Sequence, residues 1–114
     1  MNTINRSAVI VRPAQPFLDS LHRVDASSAD LTLDELRVDP STYLLPEWES
    51  DEDALDKLAR VSTEIFAEQL NSWHRVESVW PRDRDVNTFL RWFDCSFHSM
   101  VFDLCEERVR HTIM

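Results

Sequence analysis

The 114-residue chain contains no glycine. At average usage of about 7%, a chain of this length would carry about eight. The omission removes whole classes of chemistry. Phosphate-cradling loops of the P-loop and Rossmann kinds need glycine so that the backbone can approach the phosphates. The nucleophile elbow of hydrolases and the calcium loop of an EF-hand need it for their sharp turns. None of these motifs can be written in this sequence, and nucleotide chemistry of the usual kinds is disfavoured with them.

The length predicts a single domain over residues 1–114 with one core. Hydrophobic residues make up 43% and charged residues 29%, an ordinary globular balance rather than a disordered one. No apolar run approaches the roughly 18 residues that span a bilayer. The start, MNTINRSAVIVRP, places Arg6 ahead of the short apolar run AVIV, which is too short for a secretory signal. The expected compartment is the cytoplasm, bacterial or eukaryotic. Cys95 and Cys105 are the two cysteines, and a reducing compartment without a disulfide framework suits them. Both are expected as reduced thiols lining the core.

The formal charge is −9. A field of that sign repels nucleic acid and anionic membranes, so neither direct nucleic-acid binding nor membrane binding is expected. A charged partner should be a basic protein. Solubility alone is the simplest account of the charge.

Along the chain, AVIV (8–11) is rich in β-branched residues and predicts a strand buried on both faces. Pro16 suits the first turn of a helix carrying Phe17, Leu18, Leu21 and Val24, which should stop in the polar run 25–30. TLDE (32–35) has the capping-box pattern, with Pro40 limiting the helix to about two turns. STYLLPEW (41–48) predicts a second strand, which Pro46 pushes to a sheet edge. Ser50 followed by Asp51, Glu52 and Asp53 starts a long helix over 51–72. One face of it collects Ala54, Leu55, Leu58, Val61, Ile65, Phe66 and Trp73, interrupted by Ser62 and Gln69. On the other face Asp53–Lys57 and Asp56–Arg60 are favourable i,i+4 pairs. Asn71 is the residue best able to replace glycine in a left-handed cap.

Residues 74–84 connect to a further helix capped by Asp85 and carrying Val86, Phe89, Leu90 and Phe93. Residues 95–104 fit a helix by phase and a strand by alternation; their length and aromatic content favour the strand. The order is then β-α-α-β-α-α-β. That order predicts a small α/β (α+β) two-layer sandwich of about three strands packed by helices. A mostly helical fold follows if 95–104 is helical.

The phrases VRPAQPFLD, YLLPEW and FLRWFDCSFHSMVFDL, spread over most of the chain, resemble a family of small bacterial proteins. That family has no assigned activity, so the resemblance implies no function, cofactor or site.

Four constellations could carry chemistry. Cys95, His98, Cys105 and His111 supply zinc-type ligands, but the spacing matches no familiar finger, and on a strand residues 95 and 98 point to opposite faces. Buried thiols and a lone histidine are the simpler account. His98, near Asp94 and Asp103 and beside Ser96 and Ser99, could serve as a general base, although a histidine among aromatics is usually a hydrogen-bonded core residue. Arg82 and Arg84 lie near Trp80 and Trp92 and could hold a carboxylate or stack a planar ligand. The simpler account pairs those arginines with Asp83, Asp85 or the acidic helix. The acidic run 47–56 could imitate DNA phosphates, although capping already explains Asp51, Glu52 and Asp53.

Trp48 and Trp73, at the two ends of the long helix, cannot both lie deep in so small a body, and tryptophan is favoured in interfaces. The aromatic stretch 80–104 is expected to close the core. The sequence therefore reads first as a non-catalytic protein-interaction module. Trp48, Asp51, Glu52, Asp53 and Asp56 would form its partner surface, with a homodimer also open. A small ligand-binding protein or enzyme with a pocket beside His98, lined by Trp92, Arg82, Arg84 or Ser62, is the first alternative. An acidic nucleic-acid mimic that inhibits a basic DNA- or RNA-binding protein is the second. No cofactor or metal is expected.

Overall fold

The AVIV strand extends to eight residues, Arg6–Pro13 (β2), in the structure, a computed structural model that describes residues 2–113. It is the centre of a three-stranded antiparallel sheet of order β3-β2-β4, with β3 at Ser41–Pro46 and β4 at Phe93–His98. A two-residue strand at Asn2–Thr3 (β1) pairs with Phe102–Asp103 (β5). Register steps by one between the two pairings, since Thr3 faces Phe102 whereas Ala8 faces His98. Residues 4–7 thus oppose 99–101, a bulge that bends the ribbon away from the body of the sheet. The Ile4 N–H donates to the Val101 carbonyl across it at 2.9 Å.

Four helices complete the α+β fold: α1 (Gln15–Val24), α2 (Leu33–Leu36), α3 (Asp51–Trp73) and α4 (Val86–Trp92). Each later helix starts on a side-chain cap, because the first N–H groups have no partner inside the helix. Thr32 and Glu35 form the capping box, Ser50 accepts from Asp53 N–H at 3.1 Å, and Asp85 accepts from Thr88 N–H at 2.8 Å. Pro16 fills the first turn of α1, where a missing N–H costs nothing. Both expected i,i+4 pairs form, Lys57 with Asp53 at 2.8 Å and Arg60 with Asp56 at 3.0 Å.

Helix exits differ from expectation. Asn71 lies inside α3 rather than capping it, and the chain leaves at His74 in an extended conformation. Asp25 after α1 and Phe93 after α4 are also extended. Among the described residues none has a positive φ.

The core lies on one face of the sheet. Val9 and Val11 of β2 meet Phe17, Leu18 and Leu21 of α1, Leu58, Ile65, Phe66 and Leu70 of α3, and Phe89 of α4. Phe93 is its aromatic hub, with ring centroids 4.9 Å from Phe89 and 5.3 Å from both Phe17 and Phe66. The other face stays open, as antiparallel sheets allow. Register places Arg6, Ala8, Ile10 and Arg12 there, flanked by Thr42, Leu44 and Pro46 and by Asp94, Ser96 and His98. Ile10 is only half-buried, so β2 is not covered on both faces as its apolar run suggested.

Two further expectations change. Leu55 and Trp73 are exposed, and Leu70 takes the core position instead. The stretch 80–104 also divides. Phe89 and Phe93 are buried and Trp80 and Trp92 pack against the cluster, whereas Met100, Phe102 and Leu104 stand 62%, 53% and 75% exposed. Only its first half closes the core.

Replacing Phe93 by alanine should lower the unfolding free energy by about 3–5 kcal/mol, because it empties the hub of the aromatic cluster. Phe102→Ala, in the ribbon, should cost less than about 1 kcal/mol. Urea titration followed by tryptophan fluorescence reads both. Equal losses would mean that the ribbon is part of the folded core.

Candidate functional site

The residues expected to meet at a pocket beside His98 are not brought together. His98 is exposed on the open sheet face, where Ser96 Oγ lies 2.6 Å from its Nε2. Trp92 is on the opposite side, edge-on to Phe17 at 6.3 Å and 5.3 Å from Phe66. Ser62 is buried under α3 and turns its hydroxyl back to the Ala59 carbonyl of its own helix. The acid nearest His98 on that face, Asp94, is held by Arg37 at 2.6 Å. What remains is a solvated Ser96–His98 contact with no third group among the described residues to orient the ring, short of the arrangement that general acid–base catalysis uses.

The zinc-type set is also dispersed. Cys95 faces the core side of β4 and His98 the open side, as strand alternation requires. Cys105 and His111 lie in the exposed segment after β5. Among the described residues no group of three or more His, Cys, Asp or Glu side chains could hold a metal ion. Only Cys95 packs against the core, so the expectation of two core-lining thiols is corrected for Cys105.

Arg82 and Arg84 do not pair with Asp83, Asp85 or the acidic helix among the described residues. Arg84 instead lies over the Trp80 ring, 5.5 Å from its centroid, a cation–π contact. Trp80 anchors the connection by donating its indole N–H to the His74 carbonyl at 2.7 Å. The two arginines border a shallow hollow with Glu77, Ser78 and Pro81, away from both Trp92 and His98.

The start of α3 is the expected site that keeps its composition. Asp51 and Glu52 are exposed with no ion-pair partner among the described residues, while Lys57 and Arg60 neutralise Asp53 and Asp56. The hydrogen bonds from Lys57 and from the Glu49 N–H hold the Asp53 carboxyl below its usual range. Trp48 precedes this cap, half-buried, with its ring 5.7 Å from Phe97 in an edge-on contact. Ser7, fully buried, ties the region together. Its hydroxyl donates to the Ser99 carbonyl at 3.1 Å and accepts from Trp48 N–H at 3.4 Å. No sequence signal marks this serine, because a hydroxyl at a strand start reads as polar edge. Trp73, at the far end of α3, borders a separate hollow with Pro40 and Ser41.

Gln69, whose place on the apolar face of α3 suggests a hydrogen bond to a neighbouring strand end, does make one, within a polar network between α3 and β3 whose other members sequence reasoning missed. Gln69 donates to Ser41 Oγ at 2.9 Å and to Tyr43 Oη at 2.7 Å, and Tyr43 in turn donates to Glu68 at 3.0 Å. Burial, with the charge of Glu68 adding to it, pushes the Tyr43 hydroxyl up to about 12, so it remains a donor.

Comparison with family models, with curated proteins and with solved structures finds no match.

Burial, reinforced by Asp94, pushes the Cys95 thiol up to about 11. A native protein treated with Ellman's reagent at about pH 8 should therefore release one thiol promptly, from Cys105. Cys95 should react at least about ten-fold more slowly, since the thiolate is the nucleophile. The folded state keeps a proton that the unfolded thiol loses near pH 8.5. The Cys95 contribution to stability is thus intact below that pH and declines as pH rises toward 11. Two equally fast thiols would contradict the placement of Cys95.

Proposed function

We propose that the chain is a non-catalytic, cytoplasmic protein-interaction module that presents an apolar ribbon beside an acidic helix start to a basic partner protein. The carrying observation is the row Met100, Phe102 and Leu104, all more than half exposed, in and around the two-residue strand β5, with the alternate residues Val101 and Asp103 partly buried. Large apolar side chains grouped in this way mark association surfaces more often than isolated ones do. The Trp48–Phe97 pair borders the body of the sheet next to the α3 cap, and an aromatic flanked by charge is a frequent anchor of binding energy. The unneutralised Asp51 and Glu52 set the sign of the partner. An exposed free Cys105 suits a reducing compartment. No helix among the described residues is long and apolar enough to cross a membrane.

The phosphate-mimic reading has less support. Two of the four carboxylates at the start of α3 are occupied by Lys57 and Arg60, which breaks any regular row of negative charge.

The test is affinity capture from a cytosolic lysate with wild type and two variants. One variant carries Met100→Ser with Phe102→Ser, the other Asp51→Asn with Glu52→Gln. A basic protein should be held by wild type, lost by the first variant, and held less tightly by the second and at raised salt. All four positions are exposed, so the fold should survive. The proposal fails if both variants hold the same proteins as wild type, or if wild type holds none.

A further inference from the structure

β3 is an edge strand. β2 occupies one side of it, and no strand covers the other. Between that free edge and α3 runs a groove of about 240 Å³, formed by Tyr43, Leu44 and Leu45 on the strand and Val61, Glu64, Ile65 and Glu68 on the helix. Its base is apolar and its helical wall carries two carboxylates one turn apart. Glu64 has no hydrogen-bond or ion-pair partner among the described residues. Glu68 is engaged only by the hydroxyls of Tyr43 and Ser72. A strand edge beside a helix, with pockets for alternate side chains, is the geometry that accepts an added strand.

The same chain carries a segment that fits it. Residues 104–113 are exposed throughout, and their one hydrogen bond to a neighbouring residue is from Cys105 N–H to the Asp103 carboxylate. Val109 and Ile113 are 64% and 98% exposed. Arg108 and Arg110 alternate with Val109 and His111, the period of a strand. On an extended chain the two arginines stand about 6.8 Å apart on one side. Residues one turn apart on a helix, as Glu64 and Glu68 are, stand about 6 Å apart. Cation and anion spacings therefore match. An added strand that turns Arg108 and Arg110 toward α3 turns Val109 to the open face of the sheet, where Leu44 is 49% exposed.

The segment leaves from β5, which continues the β4 side of β2, whereas the groove lies along β3 on the other side of β2. From this we infer that the chain forms a homodimer in which residues 107–113 of each copy add as a strand to the β3 edge of the other, Arg108 and Arg110 facing Glu64 and Glu68. Reciprocal exchange closes the pair with two-fold symmetry and leaves no growing end. It also covers a strand edge that only Pro46 protects. The surface is separate from the ribbon and helix start proposed above, so either can fail without the other.

Sedimentation equilibrium over about 5 to 500 µM tests the inference, as mass action should convert monomer to dimer across that range. Glu64→Arg with Glu68→Arg, or Arg108→Glu with Arg110→Glu, should each weaken dimerisation by about ten-fold or more. All four changes in one chain should restore it to within about three-fold of wild type. Glu68→Arg also removes the acceptor of the Tyr43 hydroxyl; should that variant misfold, the tail variant, which alters only exposed residues, decides the matter. Amide exchange should slow at residues 42–45 in the dimer. A wild type that is monomeric throughout, association untouched by the tail variant, or growth beyond the dimer would each overturn the inference.

Discussion

Phe93 has two jobs, and the fold depends on its doing both. It is the residue at which α4 ends and the first residue of β4, and its ring is the centre of the aromatic cluster. Joining a helix to a strand with no intervening loop is possible because the helix leaves in the extended region, at φ −135°. The same exit is used at Asp25 and His74. A chain without glycine has a steric reason for this. The left-handed cap that ends many helices costs roughly 1–2 kcal/mol for a residue with a Cβ. Here every described residue stays at negative φ. At the end of α1 the Leu21 carbonyl accepts from the Asp25 N–H and from the Ser28 hydroxyl, while the Asp25 carboxylate caps the 3-10 turn Ala26–Ser28, accepting from Ser27 N–H and Oγ. A serine hydroxyl thus supplies a donor that a left-handed glycine cap would otherwise bring from the backbone.

That economy explains how far the fold was legible in the sequence. Starts were easy, since Thr32, Ser50 and Asp85 advertise themselves and each does cap its helix. The edge position of β3 followed from Pro46, and the strand character within 95–104 from alternation, although the strand is broken at 99–101 and starts at Phe93, which helical phase had put in α4. Ends were harder. Asn71 was the natural substitute for a glycine cap, but a substitute is needed only if the left-handed conformation is used at all. The bulge at 4–7 was also hidden. It moves one residue out of register, and neither 4–7 nor 99–101 carries the glycine or proline that often marks such a step.

The candidate sites were less legible, and for a consistent reason. Neighbours in sequence need not be neighbours in space, and a strand sends them to opposite faces, as the spacing of Cys95 and His98 already implied. Cys95 and His98 separate on that ground, and Ser96 with His98 share the solvent side while Trp92 and Ser62 stay in the core. Arg84 lies over the Trp80 ring of the same connection rather than against the carboxylates adjacent to it in sequence. The α3–β3 network could have been seen only in part. Gln69 betrays itself by interrupting an apolar face, but its partners Ser41 and Tyr43 come from a strand some 25 residues earlier, and only the register of β3 brings them under it.

The aromatic stretch 80–104 shows most clearly how one composition can serve two ends. Up to Phe93 its rings are inserted between helices, where each neighbour removes more apolar surface from water. Beyond Phe97 no helix lies over the strand, because α4 has already ended and α3 begins at the Trp48 side. The same kinds of side chain then face solvent. Leaving Met100, Phe102 and Leu104 exposed forgoes on the order of 1.5–3 kcal/mol for each, so the ribbon does not earn its place through the stability of the isolated chain. Its short pairing with β1 and the hydrogen bonds of Ser7 hold it extended nonetheless. A row held extended, outward and apolar next to unneutralised carboxylates is what the proposed interaction role rests on, since an extended segment has less ordering left to lose on association.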